Sequence, residues 1–211
     1  MKRLLLPLML AALLAALLAG CKALPDKPVQ EVMYDFGPAP AVPLAPGTPE
    51  RPPLLLSDVQ VGVALEGAGM LYRLAYEDPH QLRPYAFARW SSPPGELVHQ
   101  RLRDVLGRDR AVLDPRSAST LTRRGGVAPP VLRLELDEFS QVFASAGQSE
   151  GVLRLRVTLL ESTPGGEKLV AQRRFEARRP APSADAAGGV RALAAATEAV
   201  AVDIAAWLRE R

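Results

Sequence analysis

The order of the periodic segments predicts an α+β fold with a mainly antiparallel sheet and two helices packed on one face. Strand-like segments come first, a helical stripe follows, more strand-like segments come next, and a second helical stripe ends the chain. The later strands alternate apolar and charged residues, which is typical of an antiparallel sheet with one buried face. An apolar run and a proline-rich segment precede this domain, so three parts are predicted: 1–20, 21–53 and 54–211.

The beginning of the domain predicts a hairpin and a third short strand. Valines at alternate positions of residues 59–64 indicate a strand, and a glycine-containing turn at 66–69 separates it from a second strand at 70–76. We expect these two strands to pair with each other. Residues 85–90 alternate in the same way and predict another short strand.

Two segments have helical periodicity. Serine and proline at 91–94 start an apolar stripe, and Gly107 is expected to end this first helix. An alanine-rich stripe from about Asp185 to Arg209 predicts the second helix. Four charged residues of the first segment fall off its apolar stripe and are expected to be solvated: Arg101, Arg103, Asp104 and Arg108.

The chain between the two helices predicts one brief strand and a three-stranded meander. The brief strand is 111–113, and the longer strands are 131–142, 151–160 and 168–178. In the middle strand of the meander, leucine and valine alternate with polar residues. The polar set is expected to face water: Arg154, Arg156 and Thr158.

The first 20 residues predict an export signal peptide. Two basic residues precede an apolar run of about 15 residues, which is short for a spanning helix of about 20. The run ends in Leu18, Ala19, Gly20 and Cys21, which resembles a bacterial lipobox. The resemblance implies cleavage before Cys21 and acylation of that residue, with palmitate among the chains. A signal peptide without lipid, or a membrane anchor that contains a cysteine, is the alternative.

Lipidation at Cys21 would decide where the protein resides. Cys21 is the single cysteine, so it has no internal disulfide partner. Two or more acyl chains anchor a protein firmly, and these covalent chains are the one prosthetic group expected. Lys22 stands where lipoproteins of enteric bacteria that stay at the inner membrane carry aspartate, so that resemblance implies delivery to the outer membrane.

Residues 21–53 predict a tether. Nine of the 20 prolines lie in this segment, and proline disfavours both helix and sheet. An extended chain of this kind spans about 3.1 Å per residue, so the tether could reach roughly 100 Å. Residues 32–38 interrupt it with Tyr34 and Phe36. Docking of these aromatics on the domain or on a neighbour, and a loosely held loop, are both open.

Charge and motif content exclude several functions. The chain carries 26 basic and 23 acidic residues, and the mature part carries 24 and 23, so it has no basic footprint for nucleic acid. The segment 123–126 lacks the spacing of a phosphate-binding loop. His80 and His99 are isolated and are expected at the surface or an edge. The sequence therefore predicts no enzyme activity, no metal and no bound cofactor.

A docking surface for a partner is predicted from aromatic and arginine residues. These residue types are enriched at the centres of protein interfaces. Strand alternation supports a competing interpretation in which part of the aromatics belong to the core. The candidates are Tyr72, Arg73, Tyr85, Arg89 and Trp90.

Several motifs in order resemble a known family. They are the lipobox, the Tyr-Asp-Phe-Gly-Pro segment 34–38, Met-Leu-Tyr-Arg-Leu at 70–74, Tyr-Ala-Phe-Ala-Arg-Trp at 85–90 and the closing alanine-rich helix. Together they resemble the auxiliary lipoprotein component of bacterial ABC-type intermembrane lipid transport systems. That family includes the lipoprotein of the paraquat-inducible operon.

The resemblance implies a fold, a location and partners. The fold is a small sandwich like the amino-terminal domain of TolB, on the periplasmic side of the outer membrane and anchored in its inner leaflet. The partners are an MCE-domain substrate-binding protein, an ABC permease and an ATPase that move phospholipid. Some relatives form rings, which leaves a homo-oligomer open. The alternative function is an envelope assembly lipoprotein that acts on outer-membrane proteins or lipopolysaccharide.

Overall fold

The computed structural model describes residues 30–38, 51–115 and 128–211. The strands are β1 Val32–Tyr34, β2 Arg51–Val61, β3 Gly69–Leu74, β4 Arg83–Trp90, β5 Arg110–Leu113, β6 Val131–Ser145, β7 Gln148–Thr163 and β8 Gly166–Pro180. The helices are α1 Pro94–Leu106 and α2 Ala186–Arg209, and a short 3-10 helix covers Val63–Leu65. The predicted signal peptide, the lipobox with Cys21, and the segment 123–126 lie outside the described residues.

Strand β6 is the centre of a mixed sheet. On one side it pairs antiparallel with β7, and β7 pairs antiparallel with β8, which confirms the predicted meander. On the other side its first part pairs parallel with β2 and its last part pairs parallel with β3. Strand β5 continues from β2, and β4 and then β1 continue from β3. Among the described strands four of the seven pairings are parallel, so the expectation of a mainly antiparallel sheet holds only for the meander and the β3–β4 pair.

The hairpin predicted between the strands at 59–64 and 70–76 is wrong. Strand β2 runs along β6 as far as Leu136, and β3 resumes in the same direction at Gln141. The 3-10 helix and turn between β2 and β3 leave the edge of β6 and return to it farther along, so that both strands run in the same direction. Strand β6 is 15 residues long, so one edge has room for both strands. The hairpin partner of β3 is β4.

Both helices pack on one face of the sheet, as predicted. Helix α1 lies against β2 and β5, helix α2 lies against the meander, and the two helices touch each other. A Cβ atom added at Gly151 of β7 would lie 2.6 Å from the backbone nitrogen of Leu193, so this glycine permits close approach of α2. Wholly buried leucines fill the layer between helices and sheet, among them Leu106, Leu134, Leu153 and Leu155.

The ends of the helices follow the sequence signals. Helix α1 has proline at its first position, and Gly107 is its C-cap. Asp185 is the N-cap of α2, because its carboxylate accepts a hydrogen bond from the Gly188 N–H at 2.7 Å. This hydrogen bond, with a second from Ser183, lowers the pKa of Asp185. Within the described ranges no helix is both long and apolar enough to span a bilayer.

The sheet face opposite the helices carries Arg154 and Arg156, as the alternation of β7 predicted, and these residues belong to a ladder of ion pairs. Arg156 donates to Glu135 on β6 at 2.8 Å, and Arg154 donates to Glu176 on β8 at 3.0 Å. Hydrogen bonds from Arg154 and then from Arg178 lower the pKa of Glu176. Because the arginines of this face that the structure describes lie beside acidic residues, their charges are largely compensated there.

Candidate docking surface

Residues 31–38, which lie within the predicted tether, are docked on the sheet. Strand β1 lies parallel to β4, with Tyr34 beside Trp90. The Ser91 N–H donates to the Tyr34 carbonyl at 2.8 Å and extends this pairing by one bond. Of the outcomes that the sequence left open, the structure therefore shows docking on the domain. The division of the chain at residues 20 and 53 stays a prediction.

The Phe36 side chain holds this segment in place. Its ring lies 5.7 Å from the Trp90 ring in an edge-to-face arrangement and 6.1 Å from the Phe139 ring, between centroids. The Arg101 guanidinium lies 5.8 Å from the Phe36 ring centroid, within the range of a cation–π interaction. Gly37 follows with a φ angle of +69°, which favours glycine and turns the chain away.

The expectation that Arg101 is solvated is wrong. Its exposed fraction is 7%, and its guanidinium makes hydrogen bonds to two other segments of the chain. It donates to the Phe36 carbonyl at 3.3 Å and to the Glu198 carboxylate on α2 at 3.1 Å. Arg108 donates to the same carboxylate at 3.2 Å. A buried cation is tolerated when it is paired in this way, so Arg101 joins the docked segment to both helices.

A second aromatic cluster lies on β3, β4 and β6. The rings of Tyr72 and Tyr85 are 4.6 Å apart, and Phe143 lies 5.9 Å from Tyr72, between centroids. The Tyr85 hydroxyl donates to the Gln141 side chain at 2.8 Å. Burial, with smaller contributions from Tyr72 and Asp185, raises the pKa of Tyr85. Both tyrosines are partly buried, so each presents one edge to solvent.

Gln141 connects this cluster to the start of α2. Its side chain is wholly buried and donates to the Ser149 hydroxyl at 2.8 Å and to the Asp185 carbonyl at 3.1 Å. A side chain at Gly189 would overlap the Gln141 amide, so glycine is required there. The tyrosine pair is therefore held rigidly by a satisfied buried polar group.

Arg73 lies at a cleft where β6 has no neighbour on one edge. Between the end of the β2 pairing at Leu136 and the start of the β3 pairing at Gln141, no described strand covers β6. A cleft of about 270 Å³ occupies this gap. Two nitrogens of Arg73 donate to the Glu138 carboxylate, each at 3.4 Å, and the guanidinium remains partly exposed.

The remaining two candidates lie on β4, next to β1. Arg89 is exposed and donates to Glu31 at 3.1 Å, which attaches the start of the docked segment. Trp90 has an exposed fraction of 1% and belongs to the core. Because it points under the helices with Phe36, burial removes Trp90 from the predicted surface. Phe87, also on β4, is 53% exposed. The docking role of Tyr72, Arg73, Tyr85 and Arg89 stays a prediction.

The two histidines lie apart from this surface. His80 is exposed in the loop after β3. His99 on α1 is half-buried, and its Nε2 atom has no hydrogen-bond partner in the structure. Burial lowers the pKa of His99, so the neutral imidazole is favoured. In the part of the chain that the structure describes, no cluster of histidine, cysteine and acidic residues could hold a metal ion.

Two residues that organise this region were missed by sequence reasoning. Arg101 and Gln141 have no motif around them, and their roles depend on partners in other elements. For Phe36 one signal was available, since an aromatic residue in a proline-rich segment has no local reason to be there.

Family models relate this region to known proteins. The model described as ABC-type transport auxiliary lipoprotein component matches residues 34–205. The chain belongs to this family. The match begins at Tyr34, inside the docked segment, and ends within α2, so it includes both aromatic clusters. The family is an auxiliary lipoprotein component of transport systems. No curated protein matches the chain.

Solved structures agree with the fold. A protein from Xanthomonas campestris, of the family DUF330, has 20% identity and a TM-score of 0.66, covering 84% of this chain and 94% of its own. An uncharacterised protein has 16% identity and a TM-score of 0.60, covering 85% of this chain and 99% of its own. At these identities the likeness shows the fold alone. The likeness to the amino-terminal domain of TolB stays an expectation.

Proposed function

We propose that this chain is a non-enzymatic lipoprotein, acylated at Cys21, that docks an MCE-type ABC intermembrane phospholipid transporter to the outer membrane. The family match over residues 34–205 carries the proposal. The lipobox-like Leu18-Ala19-Gly20-Cys21 stands directly upstream and supplies a site for the anchor. The domain then lies on the periplasmic side, where it reaches an MCE-domain protein whose permease and ATPase are in the inner membrane.

The contacts of the described domain support a binding role. Arg73 lines the cleft of β6 and is partly exposed, the Tyr72–Tyr85 pair lies on the helix side of the same sheet region, and Arg89 lies on the neighbouring edge. Rigid aromatic and arginine side chains lose little conformational freedom on binding, which suits a docking surface. The partner expected at this surface is the MCE-domain protein.

Co-purification of the full-length protein from bacterial membranes tests the partner. We expect the MCE-domain protein, the permease and the ATPase to be recovered together. Charge-neutralising changes, Arg73→Gln and Arg89→Gln, should reduce that recovery. Arg133→Gln is the matched control, because Arg133 is exposed and pairs with Glu167 on β8, at the end of β6 that is far from Arg73. Recovery of an outer-membrane protein assembly factor or a lipopolysaccharide transporter instead would support the alternative function and contradict this one.

Metabolic labelling tests the anchor. Radiolabelled palmitate should enter the wild-type protein, and Cys21→Ser should abolish both labelling and sedimentation with membranes. Deletion of the gene should increase phospholipid in the outer leaflet of the outer membrane. A Cys21→Ser protein that stays in the membrane fraction and supports normal lipid asymmetry would contradict the proposal.

A further inference from the structure

The docked segment shortens the link between the proposed anchor and the folded domain. Glu31 is paired with Arg89, β1 is paired with β4, and Phe36 is enclosed by Trp90, Phe139 and Arg101. These contacts attach the chain at residue 31. The predicted tether, in contrast, runs to residue 53.

Chain length then sets how far the domain can move from the membrane. Cys21 and Glu31 are ten positions apart, and a fully extended chain spans at most about 3.6 Å per residue, so the link is at most about 36 Å long. A tether that was free as far as Arg51 would reach roughly 100 Å.

The edge at which this link arrives is apolar and exposed. Strand β1 is an outer strand of the described sheet. Met33 on β1 is 68% exposed and Val32 is 46% exposed, and Phe87 on β4 is exposed next to them. These side chains are available for contact with the headgroup region of a bilayer. The ion-pair ladder that covers the solvated sheet face offers no such apolar contact.

Exposure alone does not select this edge, because β8 also has exposed apolar residues. Leu169 and Val170 lie near the beginning of β8. The path across the sheet from β1 to β8 runs through β4, β3, β6 and β7 and so has five strand spacings. At about 4.8 Å per spacing, the two edges are roughly 24 Å apart. The short link to Cys21 joins the domain at β1 and not at β8, so the β1 edge is the one held near the lipid surface.

We propose that the β1–β4 edge faces the lipid surface and that residues 31–38 act as a length stop that holds this edge near the bilayer. This inference rests on the proposed acylation at Cys21. The β8 edge then points away from the membrane. Release of Phe36 would lengthen the link about threefold without detaching the protein.

Depth-dependent fluorescence quenching in vesicles tests this orientation. The lipidated full-length protein is reconstituted into vesicles of phosphatidylethanolamine and phosphatidylglycerol that contain nitroxide-labelled lipid. The one cysteine of the chain, Cys21, is the proposed acylation site and has no free thiol once it is acylated. A cysteine introduced elsewhere is then the single reactive thiol. Met33→Cys places the fluorophore on β1, and Lys168→Cys places it on β8. We expect stronger quenching at 33 than at 168.

Two further variants check the cause. Phe36→Ala in each labelled protein should reduce the quenching at 33 and remove most of the difference between the two positions. An insertion of ten Gly–Ser residues after Asp26 should do the same while leaving the Phe36 contacts intact. Circular dichroism of the Phe36→Ala protein should show a folded domain. If the Phe36→Ala protein does not fold, the insertion variant alone tests the effect of link length on quenching.

The outcomes separate this inference from the proposed function. Failure of the wild-type protein to float with vesicles would contradict acylation itself. Flotation together with quenching at 168 equal to or stronger than at 33 would overturn the orientation and leave the anchor standing. Weak quenching at 33 combined with self-quenching between labels would show that the β1 edge pairs with a second copy, which also overturns it.

Discussion

The outer strands β1 and β8 are attached to the sheet in different ways. Strand β8 pairs with β7 from Pro180 beside Glu150 to Gly166 beside Thr163, so a long backbone ladder holds it. Strand β1 pairs with β4 over three residues, and most of the rest of its attachment comes from side chains, namely Phe36, Arg101 and the Arg89–Glu31 ion pair. A long ladder distributes the attachment over many backbone bonds, whereas an attachment that depends mainly on a few side chains can be weakened by one substitution.

The largest loss of stability is expected for a substitution in the hydrophobic core on which both edge strands depend. Leu155 on β7 is wholly buried between Leu136 and Phe175. Leu155→Ala should lower the free energy of unfolding by about 2–5 kcal/mol, because it leaves a cavity. Urea unfolding followed by circular dichroism measures the change. Ser162→Ala, at an exposed position of the same strand, is the control and should stay near wild type. Equal midpoints for the two variants would contradict the assigned core.

A smaller loss of stability, confined to the β1 edge, is expected when Arg101 is replaced. Arg101→Met should cost about 1–3 kcal/mol, since the Phe36 carbonyl loses a charged donor and Glu198 keeps only Arg108. Amide hydrogen exchange at Ser91, whose N–H donates to Tyr34, should accelerate more than exchange in the meander.

Arg103→Met is the control for this change on the same helix. Arg103 is exposed and lies 4.0 Å from Asp114, so the cost should be below about 0.5 kcal/mol. If the two arginine variants were indistinguishable, the junction at Arg101 would not hold β1.

The N-cap of α2 is expected to contribute about 1 kcal/mol and to depend on pH. The pKa of Asp185 is lowered in the folded state by the Gly188 N–H. Its stabilisation is therefore complete above the ordinary carboxyl pKa of 3.8 and is lost as the pH falls through the lower folded value. Asp185→Asn keeps an acceptor that does not titrate. Denaturation curves below pH 4 should show a smaller loss of stability for this variant, and parallel losses would contradict the capping role.

The smallest effect is expected on the solvated face. Arg156 pairs with Glu135 and Asp137 at 2.8 and 3.3 Å, and about a third of it is exposed. Arg156→Gln should cost less than about 1 kcal/mol, because exposed ion pairs contribute little. The difference from wild type should shrink further in high salt. A cost as large as that of Leu155→Ala would show that this face is covered in the native protein.

The regular part of the fold could be predicted from the sequence because its signals are local. Alternation gave the three meander strands, and apolar stripes with caps gave both helices. The edge on which β2 and β3 lie could not be predicted, since the same alternation suits a hairpin and two parallel neighbours of β6. That choice depends on the length of β6, which becomes available only when residues far along the chain have paired.

The candidate site could be predicted less well because burial there depends on distant partners. Arg101 is charged and off the apolar stripe of α1, so the sequence predicts it in water. Glu198 lies 97 positions away and makes its burial tolerable. Trp90 fits the composition of an interface as well as that of a core, and only the packing of Phe36 and Phe139 decides between them.

Amide hydrogen exchange of residues 32–36 in the lipidated, vesicle-bound protein tests the docking of this segment most directly. We predict that these amides exchange far more slowly than in an unstructured chain, and that Phe36→Ala restores fast exchange there while the amides of β7 stay protected. Fast exchange of residues 32–36 in the wild-type protein would contradict the account, because the link to the membrane would then be long and the domain free to turn.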